Sequence, residues 1–259
     1  MIDSHCHLGL CEPPDAELVA AARDAGVRRL LTVGIDEDSS ADAIGAAEAH
    51  EEVLACVGRH PNGSAGFDDA AAERIEELAA HPRVAAVGET GLDYYRDHAS
   101  PDEQRRAFTA QIEIARRVGK PLIIHVRDGG RTSDGEALAD AFTILRAEAT
   151  GLTVILHCFS ATAQRAAQAT GWGWYCSFAG NLTYPSAEEL REAARIVPDS
   201  LILVETDAPF LSPQPVRGER NQPAHVVETA RRLAELRELP YEEFERTVSE
   251  NANRAFGWG

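Results

Sequence analysis

Two histidines, His5 and His7, follow an apolar start and are separated by one residue. In an extended strand, residues i and i+2 point to the same face, so the two imidazole rings would lie side by side. Histidine is the commonest transition-metal ligand, and two neutral rings on one face form half of a metal site. Taken alone, the motif is better explained by two ordinary polar histidines near a terminus. A metal site therefore requires that the rest of the chain supply further ligands.

The composition limits the classes of function. The chain has 259 residues with 42 acidic and 25 basic side chains, a net charge of -17, which argues against a broad groove that binds a polyanion by counterion release. A small site in which divalent ions reverse the local charge remains possible. No apolar run reaches the roughly 18 residues of a membrane span, and no signal peptide is recognisable. The five cysteines are scattered and lack C-x-x-C spacing, so we expect free thiols in a cytoplasmic protein.

Short apolar runs alternate with longer amphipathic segments along the whole chain. The predicted strands are Ile2–His5, Arg29–Gly34, Val53–Gly58, Val84–Gly88, Leu122–Val126, Thr153–Leu156, Trp174–Phe178 and Leu201–Glu205. The predicted helices are Asp15–Ala25, Ser39–His50, Asp68–Ala80, Pro101–Val118, Asp134–Ala149, Thr162–Thr170, Ser186–Ile196, His225–Leu236 and Tyr241–Asn251. Eight strand–helix units in a chain of this length predict an α/β fold, a single (β/α)8 TIM barrel over residues 1–259. A doubly wound open sheet is the alternative, but no G-x-G-x-x-G follows the first strand.

Polar side chains occur where the predicted strands end, and α/β barrels hold their active sites at this edge. Five of the nine histidines and three carboxylates lie there, namely His5, His7, His60, Glu89, His125, His157, Glu205 and Asp207. Any one of these histidines could be an ordinary loop residue. Because the carboxyl ends of all eight strands surround one pocket, the whole set predicts a metal centre.

The candidate ligands divide into two sets that share Glu89. Asp207 follows strand eight, which lies beside strand one once a barrel closes, so it would join His5 and His7 around a first divalent ion. A carboxylate can bridge two ions because its two oxygens point apart, and Glu89 on strand four lies between the two histidine groups.

A second divalent ion would be held by His125 and His157 together with Glu89. In some α/β-barrel hydrolases a carbamylated lysine bridges the two metals. The only lysine here, Lys120, begins strand five at the opposite end of the barrel, which leaves the bridging role to Glu89.

Seven segments resemble, in order and from end to end of the chain, the motifs of the TatD family of metal-dependent hydrolases. They are Ile2-Asp-Ser-His-Cys-His-Leu8, Gly58-Arg-His-Pro61, Gly88-Glu-Thr-Gly-Leu-Asp-Tyr-Tyr95, Ile124-His-Val-Arg-Asp128, His157-Cys-Phe-Ser160, Glu205-Thr-Asp-Ala-Pro209 and Arg220-Asn-Gln-Pro223. The resemblance implies a cytosolic (β/α)8 barrel of the amidohydrolase-like superfamily, in a family that includes Mg²⁺-dependent DNases. It also implies the metal ligands His5, His7, Glu89, His125, His157 and Asp207.

The sequence departs from the family pattern at three places. Ala161 stands where a glycine usually follows His-Cys-Phe-Ser, and an extra Gly129-Gly130-Arg131 stretch lies beside the site. Glu219 stands where the family often has lysine. The loss of that positive charge argues against strong binding of long DNA.

These observations together predict a hydrolase that activates a water molecule with two divalent ions, Mg²⁺, Mn²⁺ or Zn²⁺. Asp207 is the expected general base, beside the bridging Glu89. Arg127 is expected to bind a phosphate, and His60 to contact substrate or to hydrogen-bond Glu89. The expected substrate is single-stranded DNA, cut by a monomeric 3′–5′ exonuclease.

Other roles and functions remain open at this stage. Glu205 and Asp3 are expected to orient ligand histidines, and Asp93 either lines the pocket or is a solvated loop residue. The same metal pair would serve an amidohydrolase, lactonase or phosphotriesterase that acts on a small metabolite. A non-catalytic metal-binding barrel is a further alternative.

Overall fold

The computed structural model describes residues 1–130 and 133–258, so Arg131 of the extra loop stretch lies outside the described residues. The strands are β1 Ile2–Cys6, β2 Arg29–Val33, β3 Val53–Val57, β4 Val84–Asp93, β5 Leu122–Arg127, β6 Val154–Leu156, β7 Tyr175–Phe178 and β8 Ile202–Val204. The α-helices are α1 Asp15–Asp24, α2 Glu37–Ala49, α3 Asp69–Ala79, α4 Pro101–Val118, α5 Glu136–Glu148, α6 Ala163–Gly171, α7 Glu188–Ile196, α8 Val226–Leu236 and α9 Tyr241–Phe256. None of the helices in these two ranges is long and apolar enough to cross a membrane.

The eight strands form one parallel sheet in the order β1 to β8. The sheet closes through a parallel bridge between Cys6 and Ala208. The Asp207 amide donates to the carbonyl of His5 at 2.9 Å, and the His7 amide donates to the carbonyl of Ala208 at 2.8 Å. The predicted (β/α)8 barrel is therefore confirmed, and the alternative prediction of a doubly wound open sheet is wrong.

A buried carboxyl group, Asp3, ties the two ends of the sheet together. Its Oδ1 accepts the amide of Thr206 at 2.9 Å, and the Thr206 hydroxyl lies 2.6 Å from its Oδ2. The amide of His5 also donates to Asp3, at 3.3 Å. Asp3 thus holds the backbone on both sides of the β1–β8 junction, which places His5 and Asp207 next to each other.

Strand β4 is longer than predicted. It continues through Glu89 to Asp93, with an irregularity between Val87 and Thr90, whereas the predicted strand ended at Gly88. The polar, glycine-rich segment after Gly88 resembles a strand end, but Gly91 makes continued pairing with β5 possible. A Cβ at this position would lie 2.0 Å from the carbonyl oxygen of His125, and the φ of Gly91 is 140°.

The last helix also extends beyond its predicted end at Asn251. The Asn251 side chain donates to the carbonyls of Asp199 and Ile202 at the start of β8, so a residue typical of helix ends instead fixes α9 to the barrel. The extension carries Phe256, which is buried with the residues that fill the barrel interior. The amino end of the barrel is therefore closed by apolar packing.

Lys120 lies at this amino end, as predicted. Its ammonium group donates to the carbonyl of His81 at 2.9 Å and to that of Ala79. A lysine in this position cannot reach the carboxyl ends of the strands, so it cannot bridge ions there.

Candidate metal centre and active site

The structure brings the six predicted ligands together at the carboxyl edge of the barrel. His5 lies in β1 and His7 directly after it, Glu89 lies in β4, and His125 lies in β5. His157 and Asp207 follow β6 and β8. All six are buried or half-buried, and each lies within a strand or within three residues of its end. Their convergence follows directly from barrel closure.

The first group of donor atoms surrounds His5 and His7. Their Nε2 atoms lie 3.2 Å apart. Oε2 of Glu89 lies 3.5 Å from Nε2 of His5 and 3.6 Å from Nε2 of His7. Oδ1 of Asp207 lies 3.9 and 3.5 Å from the same two nitrogens. Four side chains from the two ends of the sheet and from β4 thus direct donor atoms at one small volume.

The second group surrounds the other oxygen of Glu89. Oε1 lies 2.6 Å from Nδ1 of His125 and 3.0 Å from Nε2 of His157. Nε2 of His60 lies 3.6 Å from the same oxygen. The two oxygens of Glu89 therefore face two different sets of imidazoles, which is the arrangement that a bridging carboxylate requires.

The chemistry of these donors fits divalent metal ions. Ligand atoms of His5, His7 and Asp207 lie within 4.8 Å of one another, and so do those of His5, Glu89 and His157. Nδ1 of His5 is buried without a hydrogen-bond partner. Imidazole nitrogens and carboxylate oxygens in such mixed sets suit Zn²⁺, Mn²⁺ and related ions.

The protonation of the carboxylates favours a cation. Burial alone would raise the pKa of Glu89, but the positive charge of His157 and the hydrogen bonds from His125 and His157 outweigh it and hold the pKa well below its usual value. Burial opposes ionisation of Asp207 as well, yet its contacts with His7 and His157 lower its pKa. Both groups are therefore carboxylates at neutral pH, and a positive ion at their centre is electrostatically favoured.

Hydrogen bonds behind the site orient two of the imidazoles. Nδ1 of His7 donates to the carbonyl of Val33 at 2.8 Å, which leaves Nε2 as the free acceptor that faces Asp207. Nδ1 of His157 lies 3.0 Å from Oε1 of Glu205. Glu205 is fully buried at the end of β8, the position from which it was expected to orient a ligand histidine.

Asp93 belongs to the site, and its interpretation as a solvated loop residue is wrong. It is 1% exposed, and its Oδ2 lies 3.4 Å from Nε2 of His125. Burial raises its pKa, but the contact with His125 outweighs that effect and lowers the pKa to about 2. Ligand atoms of His60, Asp93 and His125 also lie within 4.8 Å of one another. The sequence signal for Asp93 is its even spacing from Glu89, which is informative only once β4 is known to continue.

Two glutamines of α4 hold this part of β4. Gln104 accepts the amide of Asp93 at 2.8 Å and donates to its carbonyl at 2.9 Å. Gln111 donates to the hydroxyl of Thr90 at 2.7 Å and accepts the amide of Arg59 at 2.7 Å. These contacts position Asp93 and the loop that carries His60.

The two predicted substrate contacts have different surroundings. His60 faces Glu89 from within the pocket, and burial together with the charge of His125 lowers its pKa to about 3. Nδ1 of His60 accepts the amide of Asn62 at 3.1 Å, so a neutral His60 carries its proton on Nε2 and can donate a hydrogen bond into the pocket. Arg127 is exposed at the end of β5, and its guanidinium carbon lies 3.9 Å from the centre of the Tyr95 ring. Arg127 is thus placed beside the pocket, stacked on an aromatic side chain.

Two of the departures from the family pattern, Ala161 and Glu219, lie in the segments that follow β6 and β8. Ala161 is buried in the apolar core, and Glu219 is exposed with its carbonyl accepting the hydroxyl of Ser212 at 2.7 Å.

Comparison with known proteins agrees with this geometry. The model of the family described as TatD related DNase matches residues 2–257. The chain belongs to the TatD family. It is 43% identical to an uncharacterized metal-dependent hydrolase TatD of Mycobacterium tuberculosis, over 100% of this chain and 98% of that protein. It is 35% identical to the 3′-5′ ssDNA/RNA exonuclease TatD of Escherichia coli K12, over 93% of this chain and 92% of that protein.

A solved structure agrees with the fold. The crystal structure of a TatD homologue from Escherichia coli K12 superimposes with a TM-score of 0.90 at 26% identity, covering 99% of this chain and 98% of that one. The predicted family and the predicted class, a metal-dependent hydrolase, are thereby confirmed.

Proposed function

We propose that this protein is a phosphodiesterase that removes nucleotides from the 3′ end of single-stranded nucleic acid. In this proposal two divalent ions are held by His5, His7, Asp207, Glu89, His125 and His157. The observation that carries this proposal is that the two carboxylate oxygens of Glu89 face different histidines. Oε2 lies 3.5 Å from Nε2 of His5, and Oε1 lies 2.6 Å from Nδ1 of His125.

The choice of substrate is supported by the name of a related protein and by the shape of the pocket. A relative that shares 35% of its residues along most of the chain carries the name 3′-5′ ssDNA/RNA exonuclease. The candidate ligands lie within a pocket surrounded by eight strand-to-helix loops, and such a pocket suits the end of a flexible strand better than the interior of a duplex. The net charge of -17 disfavours long contacts with a polyanion, so recognition would be confined to the few nucleotides nearest the site.

The side chains have separate roles in this mechanism. Divalent ions bound at these ligands would polarise a phosphoryl oxygen and lower the pKa of a coordinated water toward neutrality. Asp207 is ionised and faces the same volume as His7, so its carboxylate can accept the proton that the attacking water loses. His60 is neutral and close to Glu89, from where it can hydrogen-bond a phosphate oxygen.

We also propose a cytoplasmic location and a monomeric state. All five cysteines are free, and Cys6, Cys56 and Cys176 are buried, which suits a reducing compartment. Within residues 1–130 and 133–258, Ile196 is the one exposed large apolar side chain that lies away from the carboxyl edge of the barrel. A single residue of this kind does not require a partner surface.

The test uses purified protein loaded with Mg²⁺, Mn²⁺ or Zn²⁺ and oligonucleotides labelled at the 5′ or the 3′ end. We expect a ladder of shortened 5′-labelled products from single strands, early release of the 3′ label, and loss of activity with chelator. A blunt duplex should be cut more slowly. The proposal fails if labelled strands remain intact with every ion, and turnover of lactones, amides or small esters by the same preparation would instead establish a hydrolase of small metabolites.

A further inference from the structure

Exposed apolar side chains are concentrated around the mouth of the pocket. Of the four large apolar side chains that are exposed in the described residues, three lie in strand-to-helix loops at the carboxyl edge, namely Leu10 after β1, Tyr95 after β4 and Phe210 after β8. Exposing such groups costs hydration free energy, and a protein that only needed to fold could replace them with polar residues.

Phe210 lies directly beside the candidate metal centre. Its side chain is 52% exposed, and its ring centre lies 6.3 Å from that of His7 in an edge-to-face arrangement. Its amide donates to the carbonyl of Asp207 at 2.8 Å, and its carbonyl accepts the side-chain amide of Asn221. The backbone is thus fixed on both sides, while much of the ring remains free to contact a ligand.

Tyr95 lies on the other side of the mouth. β4 is opposite β8 in an eight-stranded closed sheet, so the loops that carry Tyr95 and Phe210 face each other across the pocket. The Tyr95 ring is 51% exposed, and its amide donates to Oδ1 of Asp93 at 2.9 Å. The guanidinium groups of Arg127 and Arg96 lie 3.9 and 5.7 Å from the ring centre, which places two arginines beside the ring on this side of the mouth.

An aromatic surface on each side of a metal centre, with arginine beside one of them, matches the chemistry of a short single strand. Nucleobases stack on aromatic rings irrespective of sequence, and arginine pairs with the phosphates between them. We infer that Phe210 and Tyr95 stack on the bases of the nucleotides that flank the phosphodiester to be cleaved, with Arg127 against the adjoining backbone. The inference rests on the proposed function and explains how a protein of net charge -17 holds a polyanion.

The experiment compares two oligonucleotides of equal length and charge. One is an ordinary single strand, and the other carries tetrahydrofuran abasic residues in place of its two 3′-terminal nucleotides. Rates of cleavage are measured with the metal-loaded enzyme, and affinities are measured by fluorescence anisotropy with metal-free protein. The variants are Phe210→Ala and Tyr95→Ala, with Phe210→Tyr and Tyr95→Phe as conservative replacements. Ile196→Ala at the end of α7 is the control for removal of an exposed apolar side chain far from the mouth.

We expect the parent enzyme to favour the strand with bases by at least about 25-fold in kcat/KM, because each of the two missing bases removes a stacking contact worth roughly 5- to 150-fold. Phe210→Ala and Tyr95→Ala should each reduce this preference, mainly through KM, whereas the conservative replacements and Ile196→Ala should keep it. Equal cleavage of both strands by the parent enzyme, or an unchanged preference in both alanine variants, overturns the inference while the exonuclease proposal stands. If no strand is cleaved, the proposed function fails, and the anisotropy data decide stacking separately, since equal affinities for the two strands would refute it.

Discussion

Oε1 of Glu205 lies 3.0 Å from Nδ1 of His157, and the two side chains are buried together at the end of β8 and just after β6. The same oxygen accepts the amide of Cys158 at 2.7 Å. With Nδ1 engaged, Nε2 of His157 is the atom that faces Glu89, at 3.0 Å. Glu205 therefore determines which nitrogen of His157 is available to an ion.

Replacement of Glu205 tests this orienting role. In Glu205→Gln the acceptor oxygen can be kept but its charge is lost, so the imidazole becomes a weaker ligand. We expect metal affinity to fall about 10- to 100-fold, as is usual when the partner of a ligand histidine is altered. Isothermal titration calorimetry measures the change, and circular dichroism verifies that the variant is folded. An affinity within twofold of the parent value would contradict the role.

Metal binding should depend on pH because protons compete for the imidazoles. Burial opposes protonation of His157, but Glu89 and Glu205 outweigh it and raise its pKa well above the usual value. His125 has a raised pKa as well, since Asp93 and Glu89 outweigh its burial. Protonated rings cannot bind an ion, so affinity should increase as pH rises from 6 to 8, with protons released on binding.

Calorimetry in two buffers of different ionisation enthalpy measures the number of protons released. A binding enthalpy that is the same in both buffers at pH 6, together with a pH-independent affinity, would show that the histidines are already neutral without metal.

The stability of the junction between β1 and β8 should decrease as pH rises, whereas metal affinity should increase. Burial raises the pKa of Asp3 to about 8, against a value near 4 in an unfolded chain. Ionisation thus favours the unfolded state, so this contribution to the free energy of unfolding is complete below about pH 4 and is lost as pH rises through about 8. Asp3→Asn removes the ionisation, and its unfolding free energy should therefore fall less between pH 5 and pH 8.5.

Urea unfolding of both proteins, in the presence of chelator, measures this difference. Parallel loss of stability in the parent protein and in Asp3→Asn would mean that Asp3 is ionised in the folded state and held by its hydrogen bonds to Thr206.

Residue spacing and strand order were sufficient to predict that the candidate ligands lie close together. Alternation along β1 places His5 and His7 on one face, and closure of a barrel brings Asp207 beside them. The same reasoning left Asp93 undecided between the pocket and solvent, because a segment with Gly88 and Gly91 resembles a strand end. The close approach of the His125 carbonyl to Gly91, which leaves no room for a Cβ, is visible only in the structure. Local patterns do not report contacts of that kind between strands.

Contacts between loops were equally inaccessible to sequence reasoning. Arg127 was expected to bind phosphate because it follows His125 by two residues. That spacing gives no information about Tyr95, which is distant in sequence but stacks on the guanidinium group of Arg127. Asn251 was expected to end a helix, and its side chain instead binds carbonyls that only the fold brings near. In each case the deciding partner comes from another element of the barrel.

Counting bound ions tests the central claim, that Glu89 is shared between two metal sites. The parent protein, Glu89→Ala and His125→Ala are loaded with Mn²⁺ or Zn²⁺, freed of excess ion, and measured by inductively coupled plasma mass spectrometry. We predict two ions per chain in the parent protein, close to none in Glu89→Ala, and one in His125→Ala, which leaves the His5, His7 and Asp207 group intact. Equal losses in the two variants, or a single ion in the parent protein, would contradict the bridging role of Glu89.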